Sequence, residues 1–467
     1  MAKIAFVQNI AYEYLGLMQL SSVLKKNGHN VDVFIVSHNE DSIIREIEAY
    51  NPDLVGFSCT TGGHIWALGF ADKLRRILHC KVILGGPHAT FSPEVIHESP
   101  VDIICRGEGE DALLELADKT DRGSDISDTL NCWVKTKGDI IKNGQRPLIE
   151  DLDSLPFPDR ELYANKYPYL NTSLKAFMGG RGCPFECTFC FNHAFKKLYE
   201  GKGKMVRYRS VANVIAEMQD VLKRYRTRTI YMQDDTLILN KDWVREFCLK
   251  YKKEIGLPFV CLIRADLADE MLISMLRDAG CANVFFGIET GSQYLRDRLL
   301  KKKVTSDDIV RTAFILHKYG IKFRTYNMVG LPDETLDDAF LTMKLNSDIK
   351  TDYPWCSIYQ PFPGTDLADY AIEKGLLDCS HPVSGSFFKQ SVLKTHSTEF
   401  ANLQKLFFCG VKFPWLAPLI RKMIGWRPNV LFDAVFILSY AWYYFLSERM
   451  TIKDMLSLGV RNLKFFK

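Results

Sequence analysis

The sequence has no strong charge of either sign: 60 lysines and arginines face 56 acidic residues, a formal net charge of +4 over 467 residues. No long basic run breaks that balance, so the electrostatic footprint of a dedicated nucleic-acid binder is missing and no nucleic acid is expected as a partner. The opening residues, MAKIAFVQNIAYEY, lack the basic stretch, apolar core and small-residue cleavage site of a secretory leader, so export is not expected. Internal repeats and low-complexity tracts are also missing. Thirteen cysteines is an odd number, scattered except for one tight group, which suits reduced thiols in the cytoplasm better than a disulfide framework. Long apolar runs are scarce, and the one at 430–446 contains a single charge.

With 47% of its residues hydrophobic, the chain can bury a large core, and its length exceeds what one core usually organises. Short apolar runs alternate with helical patterns over 1–120, predicting an α/β, doubly wound, Rossmann-like domain. Its turns fall where strands should end, around Ser58 and Thr60, at Gly85-Gly86, and at Arg106-Gly107-Glu108. Ligands of such folds bind outside the carboxyl ends of the strands. Residues 121–171 hold turn formers and a proline-punctuated stretch, and read as a connector. Over 172–395 six further strands are expected, near 175, 229, 259, 283, 322 and 355, separated by helices such as the one carrying Val211, Val214, Ile215 and Met218. Six βα units predict a partial (β/α)6 barrel. Residues 396–467 read as a mainly helical region.

The tight group is Cys183, Cys187 and Cys190, three thiols within eight residues directly after the first strand of the second domain. A structural zinc site usually takes four protein ligands from paired knuckles, and no second knuckle is visible, although His193 offers a fourth ligand. On a four-iron cluster, three thiolates would bind three irons and leave the fourth open to a small molecule. The spacing CxxxCxxC, with the aromatic Phe189 before the last cysteine, resembles the signature of the radical S-adenosylmethionine superfamily. The resemblance implies a 4Fe-4S cluster on the three cysteines, with S-adenosylmethionine on the open iron cleaved to a 5′-deoxyadenosyl radical. It also implies cofactor contacts from later strand ends: Asp234 and Asp235, where many members have Gly-Gly-Glu, then Arg264, Glu289, Asn327, Gly330 and Gln360. Helix capping is the alternative for polar residues there, since Thr236, Ser292 and Asp333 stand where N-caps would fall. A carboxylate such as Glu289, following an apolar strand at a barrel mouth, would otherwise be an awkward partly buried charge.

A doubly wound domain with Gly85-Gly86 and Arg106-Gly107-Glu108, joined by a Leu-Pro-Phe-Pro connector to a cysteine-bearing barrel, resembles the cobalamin-dependent radical enzymes over roughly residues 1 to 395. That resemblance implies cobalamin bound near Ser58, Thr60, Gly85, Gly86, Arg106, Gly107 and Glu108. The alternative is that these glycines only permit tight turns. The Asp-x-His-x-x-Gly motif that supplies a cobalt-ligating histidine in other cobalamin proteins is absent after the first strand, and none of His29, His64 or His88 is assigned to cobalt.

The implied activity is methylation of an unactivated carbon, with cyclisation, rearrangement or oxidation as the alternative within the family. A non-enzymatic ligand- or metal-binding sensor is the alternative outside it. The expected partners are a small-molecule or lipid substrate and a reducing electron donor, in the cytoplasm. Residues 430–446, with Trp426, Trp442, Tyr443 and Tyr444 and flanked by Arg421, Lys422, Arg427 and Arg449, admit two readings. One is an amphipathic element in peripheral contact with a membrane; the other is a buried helix that caps the barrel.

Overall fold

The structure, a computed structural model, describes residues 1–462 apart from 37, 38, 98, 379–381, 389, 390 and 396. It divides into two units: one comprises 1–171, 194–205 and the segment from 456 onward, the other 172–193 and 206–455.

The first unit is built on β1 (Lys3–Gln8), β2 (Asn30–Ile35), β3 (Leu54–Ser58), β4 (Lys81–Gly85), β5 (Ile103–Cys105), β6 (Cys132–Lys135) and β7 (Ile140–Lys142). They form one sheet in the order β2-β1-β3-β4-β5-β6-β7. The first five strands are parallel and the last two antiparallel. Both faces are covered, which is why the parallel strands read as near-continuous apolar runs. Ile4 and Phe6 share one core with Leu17, Met18 and Leu116; Ala5 and Val7 share another with Ile47, Phe70 and Leu74. The order reverses between β1 and β3, which makes their carboxyl ends the topological switch point. Strands β6 and β7 fall in the stretch expected to be connector. At four and three residues, they are too short for a period to show in the sequence.

The second unit carries β8 (Leu174–Phe177), β9 (Gly180–Arg181), β10 (Arg207–Tyr208), β11 (Thr229–Met232), β12 (Phe259–Leu262), β13 (Cys281–Glu289), β14 (Lys322–Val329) and β15 (Tyr353–Ile358). Apart from the small β9-β10 pair, these form a six-stranded sheet in the order β15-β14-β13-β12-β11-β8, parallel throughout. Strand succession follows the chain and β15 does not close onto β8, so the barrel is open, as expected. Helices including Val211–Arg224, Lys241–Glu254, Glu270–Asp278 and Ser306–Lys318 cover one face through Val214, Met218, Phe247, Leu272 and Leu316.

Their N-caps are Ser210, Asn240, Asp269 and Thr305, and the Thr305 cap is reinforced by a reciprocal bond from Asp308. Thr236 stands at the N-cap of the short helix Leu237–Leu239 without a side-chain cap bond, and the side chains of Ser292 and Asp333 are likewise engaged elsewhere. The Thr236 hydroxyl donates to the Asp235 carbonyl, Ser292 bonds Asp338, and Asp333 accepts from Tyr370. The cap two residues after Asp333 is Thr335, which opens the helix Leu336–Asp348 with Asp338 as its capping-box partner.

The opposite face of the sheet carries an aromatic ladder, with ring centroids 5.8 Å apart from Tyr231 to Phe285, 6.3 Å from Phe285 to Tyr326 and 6.1 Å from Tyr326 to Trp355. The helix Val430–Glu448 lays Tyr440 against Trp355, with centroids 4.9 Å apart. Its carboxyl end is tied down by Glu448, 2.9 Å from Arg324 of β14, and by the Ser447 carbonyl, which accepts from Asn283 of β13 at 2.6 Å. The capping reading of 430–446 therefore describes one side of this helix.

Candidate functional site

The three cysteines lie on a loop that leaves β9 through Gly182, whose φ of +88° falls in the left-handed region, and ends at the helix Phe191–Leu198. Two aspartates after β11 hold this loop. Asp234 accepts from Gly179 N (3.1 Å) and Gly180 N (2.7 Å), and Asp235 accepts from Gly182 N and from the Asn192 side chain. Burial pushes Asp234 up to about 6 and raises Asp235. Both carboxylates therefore act as loop braces. Thr188 anchors the far side: its N–H and hydroxyl donate to the Leu300 and Leu299 carbonyls, and its own carbonyl accepts from Leu367.

Burial raises the Cys183 thiol, and raises Cys190 to about 12. Backbone N–H groups of Phe185 and Asn192 face these two sulfurs and oppose the shift. Among the described residues, no three His, Cys, Asp or Glu side chains converge as a single metal ion requires. A polynuclear cluster takes each thiolate on a different iron, so three soft ligands on an eight-residue loop fit it without converging on one point. Arg264 stands beside the loop, its Nη1 3.6 Å from the Cys187 sulfur and its guanidinium 3.7 Å from the centre of the Phe185 ring, and is ion-paired to Asp266. Phe189 packs with Leu300, Leu331 and Tyr359 beyond the strand ends.

Glu289 ends β13 after a register shift, with φ +66°. Lys302 Nζ lies 2.5 Å from its Oε1, and both side chains are nearly buried. A Cβ at Gly287 would come within 1.9 Å of the Glu289 carboxylate, so only glycine lets that side chain fold back. Lys302 is a residue that sequence reasoning missed, because in the run Lys301-Lys302-Lys303 nothing marks the middle lysine as buried.

Not every expected contact gathers here. Asn327 faces the covering helix, where it bonds Asn346, Thr325 and the Trp355 carbonyl. Gly330, at φ +76°, donates its N–H to Glu334, whose pKa burial raises to about 8. Gln360 follows β15 and donates to the Ser386 carbonyl at 3.4 Å.

In the first unit, Ser58 and Thr60 are exposed past the end of β3, at the switch point. Gly86, at φ +86°, touches the same loop: a Cβ there would lie 2.8 Å from both Cys59 N and Cys59 O. Gly85 accepts from Cys59 N. The exposed hydroxyls and the side-chain-free turn leave a rim on which a bulky ligand can rest its amides and phosphate. Below it His64 and His88 stack with centroids 3.6 Å apart. Burial and then the neighbouring His64 push His88 down to about 4, and burial lowers His64, so both are neutral at pH 7. Gly62 N donates to His64 Nδ1, which places that ring's proton on Nε2.

Arg106, Gly107 and Glu108 are engaged by the protein itself. Arg106 donates to the Thr90 carbonyl, Gly107 to the Thr90 hydroxyl, and Glu108 N to the Tyr199 hydroxyl, while Glu108 Oε2 accepts from Ile149 N. A Cβ at Gly107 would fall 2.0 Å from the Tyr199 hydroxyl.

Residues 178–345 match the Radical SAM superfamily and residues 9–117 match the B12 binding domain. An uncharacterized methyltransferase of Pyrococcus horikoshii is 32% identical over 375 residues, 78% of this chain and 79% of that one. The anaerobic magnesium-protoporphyrin IX monomethyl ester cyclase of Rubrivivax gelatinosus is 29% identical over 369 residues, 74% of this chain and 64% of that one. The solved cobalamin-dependent S-adenosylmethionine radical enzyme OxsB superposes with a TM-score of 0.69 at 17% identity, covering 99% of this chain and 75% of that one.

Proposed function

Because this chain belongs to the cobalamin-dependent radical S-adenosylmethionine enzymes, we propose that it methylates an unactivated carbon of a small-molecule or lipid substrate. The reading is carried by the braced loop of Cys183, Cys187 and Cys190 at the edge of an open parallel sheet, in a chain that also contains a doubly wound unit with an exposed switch-point rim. When bound, the cluster with S-adenosylmethionine supplies a 5′-deoxyadenosyl radical and cobalamin supplies the methyl group.

The chain's own residues divide the work as follows. The three cysteines ligate the cluster, with Arg264 offsetting the negative charge of their thiolates. Glu289 and Lys302 present one carboxylate and one ammonium, a match for the amino and carboxylate groups of a methionyl end. Phe189, Gly330 and Gln360 shape the surface beyond the strand ends, and Asp234, Asp235 and Asn327 position their neighbours. Ser58, Thr60, Gly85 and Gly86 form the cobalamin rim, and Arg106, Gly107 and Glu108 fix the loop beside it. We assign the cobalamin domain to the first unit, whose sheet continues past 1–120 through β6 and β7, the partial barrel to 172–395, and a helical appendage to the described residues between 397 and 455. The methyltransferase relative favours methylation; the cyclase relative favours ring closure as a second reading. We place the enzyme in the cytoplasm with a reducing electron donor, in keeping with an odd and scattered set of thirteen cysteines.

The test is anaerobic reconstitution with iron, sulfide and hydroxocobalamin. The wild type is expected to hold about four irons and about one cobalt, one per cobalamin domain, and to release 5′-deoxyadenosine on reduction. A Cys183→Ala/Cys187→Ala/Cys190→Ala variant is expected to lose the iron and keep the cobalt. A product carrying the label of methyl-deuterated S-adenosylmethionine establishes methylation; an unlabelled rearranged product establishes the second reading. Zinc in place of iron overturns both.

A further inference from the structure

We propose that the outward side of the helix Val430–Glu448, with the turn before it, docks on an anionic lipid bilayer. The proposal is independent of the chemistry assigned above. Val430, Leu431, Leu438 and Trp442 are 83, 64, 71 and 62% exposed, and Ile437 is 46% exposed. With Ala434 and Ala441, also exposed, they recur at helical spacing and share one face, an arc of about 140° at 3.6 residues per turn. From Val430 to Trp442 no charged or polar side chain interrupts that face; Glu448, five turns beyond Val430 on the same line, is turned in against Arg324 and buried. An apolar stripe of this extent on a helix is a contact surface and not ordinary surface scatter.

The opposite side of the helix is occupied. Phe432 and Tyr443 are buried, Phe436 and Tyr440 contact Phe388, and Ser447 holds Arg324, joined at the carboxyl end of the helix by Glu448. By length and composition this helix could cross a membrane, but to do so it would have to abandon those contacts. Its two sides therefore favour lying in the plane of an interface, with one face immersed.

Charge selects the kind of surface. Lys422 and Arg427 are exposed just ahead of the helix and have no ion-pair partner among the described residues. The acidic groups of the helix are already taken, Asp433 by Lys405 at 2.6 Å and Glu448 by Arg324. Trp426 sits beside Arg427, 54% exposed and stacked on Phe432 with centroids 6.2 Å apart. An apolar stripe flanked at one end by an indole and free cations complements a headgroup layer of negative charge over hydrocarbon.

The experiment uses the full-length, anaerobically reconstituted protein in flotation with vesicles of phosphatidylcholine alone or mixed with phosphatidylglycerol. The wild type is expected to float with the mixed vesicles. Leu431→Ser/Leu438→Ser/Trp442→Ser should reduce flotation more than about ten-fold, because three apolar side chains no longer leave water for hydrocarbon. Lys422→Glu/Arg427→Glu should remove the preference for phosphatidylglycerol. Phe314→Ser, at a 70% exposed position on the helix Ser306–Lys318, should change nothing. Circular dichroism and sedimentation monitor fold and mass throughout. Wild-type protein that stays with the solution phase overturns the proposal, as does a triple variant that floats like wild type. A wild-type dimer that the triple variant converts to monomer, without flotation, assigns the face to a second copy and overturns it too.

Discussion

Replacing Glu448 by leucine should strip the buried Arg324 guanidinium of its counter-charge while leaving the aromatic cage around it. The two side chains are 2 and 4% exposed and 2.9 Å apart, so water cannot substitute for the carboxylate. Removing one member of such a pair costs about 3–5 kcal/mol. Arg324 also lies 4.4 Å from the Phe285 ring centre, 5.2 Å from Tyr444 and 5.5 Å from Trp355. Those contacts are present before and after the replacement, so they keep Arg324 in place without offsetting the loss, which stays at about 3–5 kcal/mol. For a unit of this size each kcal/mol moves the midpoint by about 2–4 °C, which predicts a fall of roughly 6–20 °C. The double variant Arg324→Met/Glu448→Leu removes both charges and should return to within about 1 kcal/mol of wild type, as buried pairs replaced by apolar residues do. The assay is thermal unfolding of the four proteins of the cycle, with hydrogen exchange over the helix Val430–Glu448 as the local probe. A double variant that loses the sum of the two single losses refutes the reasoning, because the two charges would then not be coupled.

Other expectations concern pH and backbone strain. Glu334, held near 8 against an ordinary 4.5, keeps its proton in the folded chain where the unfolded chain has lost it. Stability should therefore fall as pH rises from 4.5 to 8, by up to ~5 kcal/mol at 1.36 kcal/mol per unit. Glu334→Gln should flatten that slope, and denaturant midpoints across the range are the check; an unchanged slope assigns the proton to another group. Gly86→Ala forces a Cβ against Cys59 at positive φ and should destabilise the first unit by about 1–3 kcal/mol. It should lower cobalt uptake while leaving iron content unchanged, measured by metal analysis.

Much of this was legible because strand runs and cysteine spacing are local signals. The parallel strands β1 to β5 and the six strands of the open barrel announce themselves by apolar runs covered on both faces. What was hidden depends on contacts distant in sequence. The outward turn of Asn327 follows from the alternation of β14, whose pairing with β15 is unbroken from Arg324 to Val329 and which turns Arg324 and Tyr326 toward the aromatic ladder and Thr325 and Asn327 toward the helix Leu336–Asp348. Lys302 is indistinguishable from its lysine neighbours until Glu289 folds back onto it. The helix Val430–Glu448 fits neither expectation entirely, because its composition is apolar on both sides and only tertiary packing decides which side is covered.

The first unit is not a contiguous stretch of polypeptide. It owns 1–171 but also 194–205 and the segment from 456 onward, and Tyr199 from the second of these fills the space over Gly107 and bonds Glu108. A gene fragment ending at residue 171 would leave that notch unfilled. Grafting this module onto another barrel, or trading it in a chimera, therefore means carrying the segment just beyond the cysteine loop along with it.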